Sequence, residues 1–140
     1  MSRDIKFRAY VNNNLHGTGV FEVVKMDSDI ITLKIPNKED LRTCQYVPFF
    51  KREYKLMQFT GIRDNTTESN EIYESDNINF IYKGIEYYGT IKYEGAMFMI
   101  GNINDTDSCI PLDDIVTSYN GVYRINGEVV GTIYDNVEGV

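Results

Sequence analysis

A chain of 140 residues, 42% hydrophobic and 25% charged, has the makeup of a folded soluble protein, which excludes disordered and fibrous classes. That length suits one domain, 1–140, whose core needs neither disulfide nor metal. The net charge of −7 is unevenly spread: 11 Lys and Arg stand against 7 Asp and Glu through Arg63, but 3 against 14 from Asp64 onward, an asymmetry that bears on association rather than fold.

Eleven Tyr and seven Phe with no Trp favour sheets, because a tyrosine suits a strand that is apolar along its ring and wet at its hydroxyl. Ile5-Lys6-Phe7-Arg8-Ala9-Tyr10 opens the pattern, with Ile5, Phe7 and Ala9 on one face of a strand and Lys6, Arg8 and Tyr10 on a wet one. Asn and Gly at 12–14 and 17–19 supply a turn. Residues 18–25 and 29–35 then read as a hairpin around a short polar loop. Asn37, after Pro36, suits the cap of one helical turn reaching Leu41. From Cys44 to Tyr54 the aromatics Tyr46, Phe49, Phe50 and Tyr54 surround Lys51 and Arg52.

Leu56-Met57-Gln58-Phe59-Thr60-Gly61-Ile62-Arg63-Asp64 is a strand, Asn65-Thr66-Thr67-Glu68-Ser69-Asn70 a polar bend, and Glu71-Ile72-Tyr73-Glu74-Ser75-Asp76-Asn77-Ile78 the entry to the next strand. Residues 78–82 and 85–93 form a hairpin around Lys83-Gly84, and Glu94-Gly95 turns the chain into 96–100. Such a meander closes economically as a small curled barrel, with Gly89 marking a bulge or sharp bend. Residues 101–108 read as loop, and Pro111 followed by Asp113 and Asp114 reads as a short helix. Residues 119–125 and 128–134 are divided by Asn126-Gly127, a strong hairpin signal. The expected fold is mainly β: hairpin-built antiparallel sheets, a small curled barrel and one or two short helices.

Three pieces resemble the YopX family of bacteriophage and prophage proteins, in the family's order. The opening around Ile5-Lys6-Phe7-Arg8-Ala9 is similar to its R-x-I-K-F-R-A-W, with Tyr10 in place of Trp. The 56–78 stretch resembles L-M-Q-F-T-G-L-K-D followed by E-I-Y-E-G-D-I, and Glu128-Val129-Val130-Gly131-Thr132-Ile133-Tyr134 resembles its E-V-I-G-N-I-Y. The matching positions Gln58, Phe59, Thr60, Gly61, Asp64, Ile72, Tyr73, Asp76, Gly131 and Tyr134 carry a structural signature. Two departures stand out: the turn after Asp64 is longer and lacks the family's Gly, and Ser75 replaces a Gly. The family has no agreed biochemical function. The resemblance implies an accessory protein acting in the cytosol of a host bacterium.

Catalytic chemistry has little to work with. His16 is the sole histidine, in a loop rich in Asn and Gly, and an enzyme or bound cofactor is not expected. Cys44 and Cys109 match no C-x-x-C spacing, which leaves zinc and redox motifs without support. Glu71, Glu74 and Asp76 cluster at a turn, where solvated carboxylates are the ordinary outcome. No long apolar run suggests a signal peptide or membrane span. The leading expectation is therefore non-catalytic binding of a host or phage protein, with imitation of nucleic acid by the acidic second part as a sub-case, and a homo-oligomer whose strand edges are paired or covered. The alternative is nucleic-acid binding through Arg3, Lys6, Arg8, Lys51, Arg52 and Lys55, with Tyr46 or Phe49 stacking on bases. A third reading is a small host metabolite or nucleotide-like ligand in a Tyr-lined pocket between subunits.

Overall fold

Residues 6–13, 15, 17–102 and 109–135 are described by a computed structural model, in which they form thirteen strands and two short 3-10 turns. The chain divides into two compact units, the first spanning Lys6–Gln58 and the second running from Phe59 onward. Each has its own core.

In the first unit the sheet order is β5-β1-β2-β3-β4: β1 (Phe7–Asn13), β2 (Gly17–Met26), β3 (Ile30–Pro36), β4 (Cys44–Phe50) and the start of β5 (Tyr54–Arg63). All four pairings are antiparallel. Alternation along β3 and β4 turns Ile31, Leu33, Ile35, Val47 and Phe49 inward to pack with Ala9 and Val11. Tyr10, expected on a wet face, is buried as well. The segment between β3 and β4 is not helical. Asn37 donates its backbone N–H to the Thr43 carbonyl and its amide to the Thr43 hydroxyl, closing a loop where one helical turn was expected.

The outer edge of β4 is blunted near its C-terminal end. The Phe50 N–H donates to the Glu53 carboxylate at 2.8 Å instead of to β3, so alternate residues, Pro48 among them, direct their backbone nitrogens outward, and a proline has no N–H to offer. One outward donor is taken and the next is missing, which is how natural edges resist accretion of another strand.

The second unit holds two sheets. One joins β11 (Val116–Tyr119), β12 (Val122–Ile125), the end of β5 and β6 (Glu71–Tyr73); the other runs β10-β9-β8-β7-β13. Its strands are β7 (Asp76–Tyr82), β8 (Ile85–Glu94), β9 (Met97–Asn102), β10 (Cys109–Pro111) and β13 (Gly127–Thr132). Ile62, Ile72, Ile78, Phe80, Ile91, Ile100, Leu112 and Ile125 fill the core. Each such side chain contributes roughly 1.5–3 kcal/mol by leaving water.

The mainly β expectation holds, with details corrected. The second sheet is an open ladder and not a barrel, since β10 and β13 are its two ends. Gly89 makes no bulge: it pairs in regular register with Ile78 and Asn102, and its missing side chain admits the Gly101 carbonyl, which a Cβ would meet at 2.5 Å. The expected helix after Pro111 is only a 3-10 turn, Leu112–Asp114.

The hairpin expected at Asn126-Gly127 lies elsewhere. β12 pairs with β11 around Asn120 and Gly121, whose φ values of 52° and 79° suit a two-residue hairpin turn. Neither Asn126 nor Gly127 has a positive φ; there the chain leaves one sheet for the other. Gly127 is needed for a different reason, because a Cβ would collide with the Asn79 carbonyl.

Candidate functional site

The signature stretch explains itself from the backbone upward. Along β5, Met57 and Phe59 are buried, but so are Thr60, Ile62 and Asp64, so the inward phase shifts by one residue at Phe59-Thr60. The cause is a bulge against β6, where the register shifts between Phe59 and Arg63. Gly61 supplies the φ of 84° that the bulge requires. The Thr60 hydroxyl restores the interrupted ladder by donating to the Ile72 carbonyl at 2.7 Å and accepting the Ile62 N–H at 3.1 Å. Phe59 packs on Tyr73, ring centroids 5.3 Å apart. Gln58, half-buried, pairs with Phe7 of β1.

The phase shift carries Asp64 inward, fully buried. Its Oδ1 accepts from the Thr66 hydroxyl at 2.7 Å, the Asn70 N–H at 2.9 Å and the Thr66 N–H at 3.3 Å. Its Oδ2 accepts from the Val129 N–H and the Asn70 amide, both at 3.1 Å. Burial pushes the carboxyl pKa up, but the hydrogen bonds from Thr66, Val129 and Asn70 outweigh it and hold the group below its ordinary value. Arg124 completes the arrangement, donating to the Asp64 carbonyl at 3.0 Å and the Ser69 hydroxyl at 2.7 Å, while Arg63 donates to the Ser69 carbonyl and pairs with Glu71 at 3.2 Å.

The other signature positions are also structural. Asp76 is buried and accepts the Tyr73 N–H at 2.8 Å across the Glu74-Ser75 turn. Ser75 adopts a φ of 72°, the conformation a Gly there would ease, and Ser69 takes 52° in the longer loop. Ser75 donates its N–H to the Ile91 carbonyl and accepts from Ile133, so the strained residue joins two segments. Gly131 sits at a bulge in β13, where a Cβ would collide with the Asp135 carboxylate. That carboxylate accepts from the Thr132 N–H and hydroxyl. Tyr134, half-buried, donates its N–H to the Thr132 hydroxyl.

Next to Asp64 lies an open cleft of about 310 Å³, lined by Asn65, Thr66, Asn79, Phe80, Ile81, Glu86, Asn126, Gly127 and Glu128. Asn65 forms its wall: its N–H donates to the Gly127 carbonyl at 3.2 Å and its amide to the Asn126 side chain at 3.0 Å. No lining residue is basic. The Asp64 lock thus sets the loop that makes the cleft. Sequence reasoning missed these lining residues; their one signal was polarity at outward positions of strands and in the 65–70 bend.

The basic set from the sequence falls in the first unit, apart from Arg3, which lies outside the described residues, as does His16. Lys6, Lys51, Arg52 and Lys55 are exposed and Arg8 is half-buried. Phe49 is 2% exposed and belongs to the core, so it offers no stacking surface. Tyr46 is 60% exposed, but Glu22 and Lys34 stand in its cross-strand row. Cys44 first, and Glu22 more weakly, hold its phenol pKa above the ordinary value. Among the described residues no group of three His, Cys, Asp or Glu is placed to hold a metal ion, and no helix is long and apolar enough to cross a membrane.

A crystal structure of protein EF1440 from Enterococcus faecalis is similar in fold, with a TM-score of 0.55 and 20% identity over 98% of each chain. No curated protein matches the chain. The family model described as YopX protein matches residues 6–139, nearly the full sequence. With the opening, bulged middle and bulged end all in place, the chain belongs to the YopX family.

Proposed function

We propose that this YopX-family chain is a phage or prophage accessory protein that binds a protein partner without catalysis. The carrying observation is how its polar signature is used: Thr60, Asp64 and Asp76 hydrogen-bond the protein's own backbone. A reacting group needs access to substrate, and buried groups given over to the backbone lack it. What remains open is a cleft of mixed polar and apolar lining, suited to recognition. Tagged protein expressed in phage-infected or prophage-induced bacteria should recover a reproducible protein partner. Recovery at background level only would overturn the reading.

Nucleic-acid binding is the second reading, supported by exposed Lys6, Lys51, Arg52 and Lys55 in a unit where 9 Lys and Arg stand against 6 Asp and Glu. It requires a mobility shift with single-stranded DNA that weakens steeply with salt. A nucleotide-like ligand fits the cleft poorly, because Glu86 and Glu128 would repel its phosphates.

A further inference from the structure

We infer that the cleft beside Asp64 receives an extended basic segment of the partner protein, two Lys or Arg side chains reaching Glu86 and Glu128. This rests on the protein-binding reading and adds the chemistry of the contact. In register, Glu128 of β13 lies opposite Asn79 of β7, and Ile81 of β7 lies opposite Glu86 of β8. These positions share one face of the sheet, with the two carboxylates on either side of β7 and offset along it. Strand spacing and rise place their Cβ atoms about 12 Å apart. That spacing suits cationic groups carried on an extended chain.

The surroundings agree with this occupant. From Phe59 onward 4 Lys and Arg stand against 14 Asp and Glu, so the unit attracts cations. Asn65 and Asn126 bond through one amide N–H and one amide oxygen, leaving the Asn65 oxygen available to a donor from the ligand. Ile81 and Val130, on the same strands, are 47% and 44% exposed. They offer apolar contact beyond what a small cation covers, which favours a peptide.

The test is fluorescence anisotropy of the full chain with a fluorescein-labelled peptide of alternating Lys and Gly, at low and high salt. Saturable binding is expected, falling at least tenfold in Glu86→Gln/Glu128→Gln and little in Glu94→Gln/Asp113→Asn, which removes equal charge away from the cleft. An acetyl-lysine version of the peptide should not bind. The inference is overturned by absence of saturable binding, by equal loss in both double variants, or by spermidine binding where the peptide does not. If affinity purification recovers a partner that Glu86→Gln/Glu128→Gln still holds, protein binding stands and the cleft assignment falls.

Discussion

The buried carboxylate of Asp64, at the end of β5, accepts the backbone N–H of Val129 in β13 at 3.1 Å across 65 positions of sequence. The neighbouring Asn65 N–H reaches the Gly127 carbonyl. Outward-facing groups on the free edge of β13 are thereby satisfied within the chain, and the residue that follows β5 joins one sheet of the second unit to the last strand of the other.

Asp64→Asn should cost about 3 kcal/mol, because an amide nitrogen replaces one acceptor oxygen amid N–H and O–H donors. The pH dependence has a defined sign. The folded pKa lies below the unfolded value of about 4, so the carboxylate's contribution is complete above that pH and is lost as pH falls through the lower folded value. Urea midpoints across the acid range should show a steeper decline for the parent than for Asp64→Asn. Parallel profiles would remove Asp64 from this role.

Two backbone positions should respond in opposite directions. Gly61→Ala places a Cβ at a φ of 84° and should destabilise by roughly 1–2 kcal/mol. Ser75→Gly relieves a φ of 72° and should stabilise by about 0.5–1 kcal/mol, net of the greater freedom of glycine in the unfolded chain. Thermal midpoints moving in the same direction would contradict the conformational account.

Gly131→Ala should cost about 2 kcal/mol or more, since the new Cβ meets the Asp135 carboxylate at a φ of 155°. Asp135→Ala should relieve part of that cost. A double-mutant cycle should therefore be non-additive, and strict additivity would show that the collision is avoided by movement elsewhere.

Phe49 and Tyr46 are two residues apart but should behave differently. Phe49→Ala opens a cavity in the first unit's core and should cost about 3–5 kcal/mol, whereas Tyr46→Ala, at an exposed site, should stay within about 0.5 kcal/mol. Equal losses in chemical denaturation would place Tyr46 inside a packed structure.

Much of the strand content was legible in the sequence, because period-two alternation and β-branched or aromatic residues report local backbone preference. β2, β3, β5, β7 and β8 follow it closely. β4 is not among the expected strands, since residues 44–54 stand out in sequence for their aromatic and basic side chains; Pro48 within it is compatible with a strand because β4 lies at the sheet edge. The two Asn-Gly pairs show the same limit. Both are locally able to turn, yet only Asn120-Gly121 joins paired strands, since the partner of β13 is β7, far away in sequence.

The sequence alone determined that the chain is built of short strands, that Thr60, Gly61, Asp64 and Gly131 recur in a family pattern, and that acidity collects after Arg63. Tertiary structure decided what those residues do. A bulge shifts the phase of β5 by one residue, and that shift turns Asp64, the last residue of the expected strand, into a buried acceptor for β13. The cleft was likewise invisible beforehand, because its walls come from segments separated by some 60 positions, as the Asn65–Asn126 contact shows. Local propensity acts over a few neighbouring residues, whereas hydrogen bonds and packing between distant strands exist only once the chain has closed on itself.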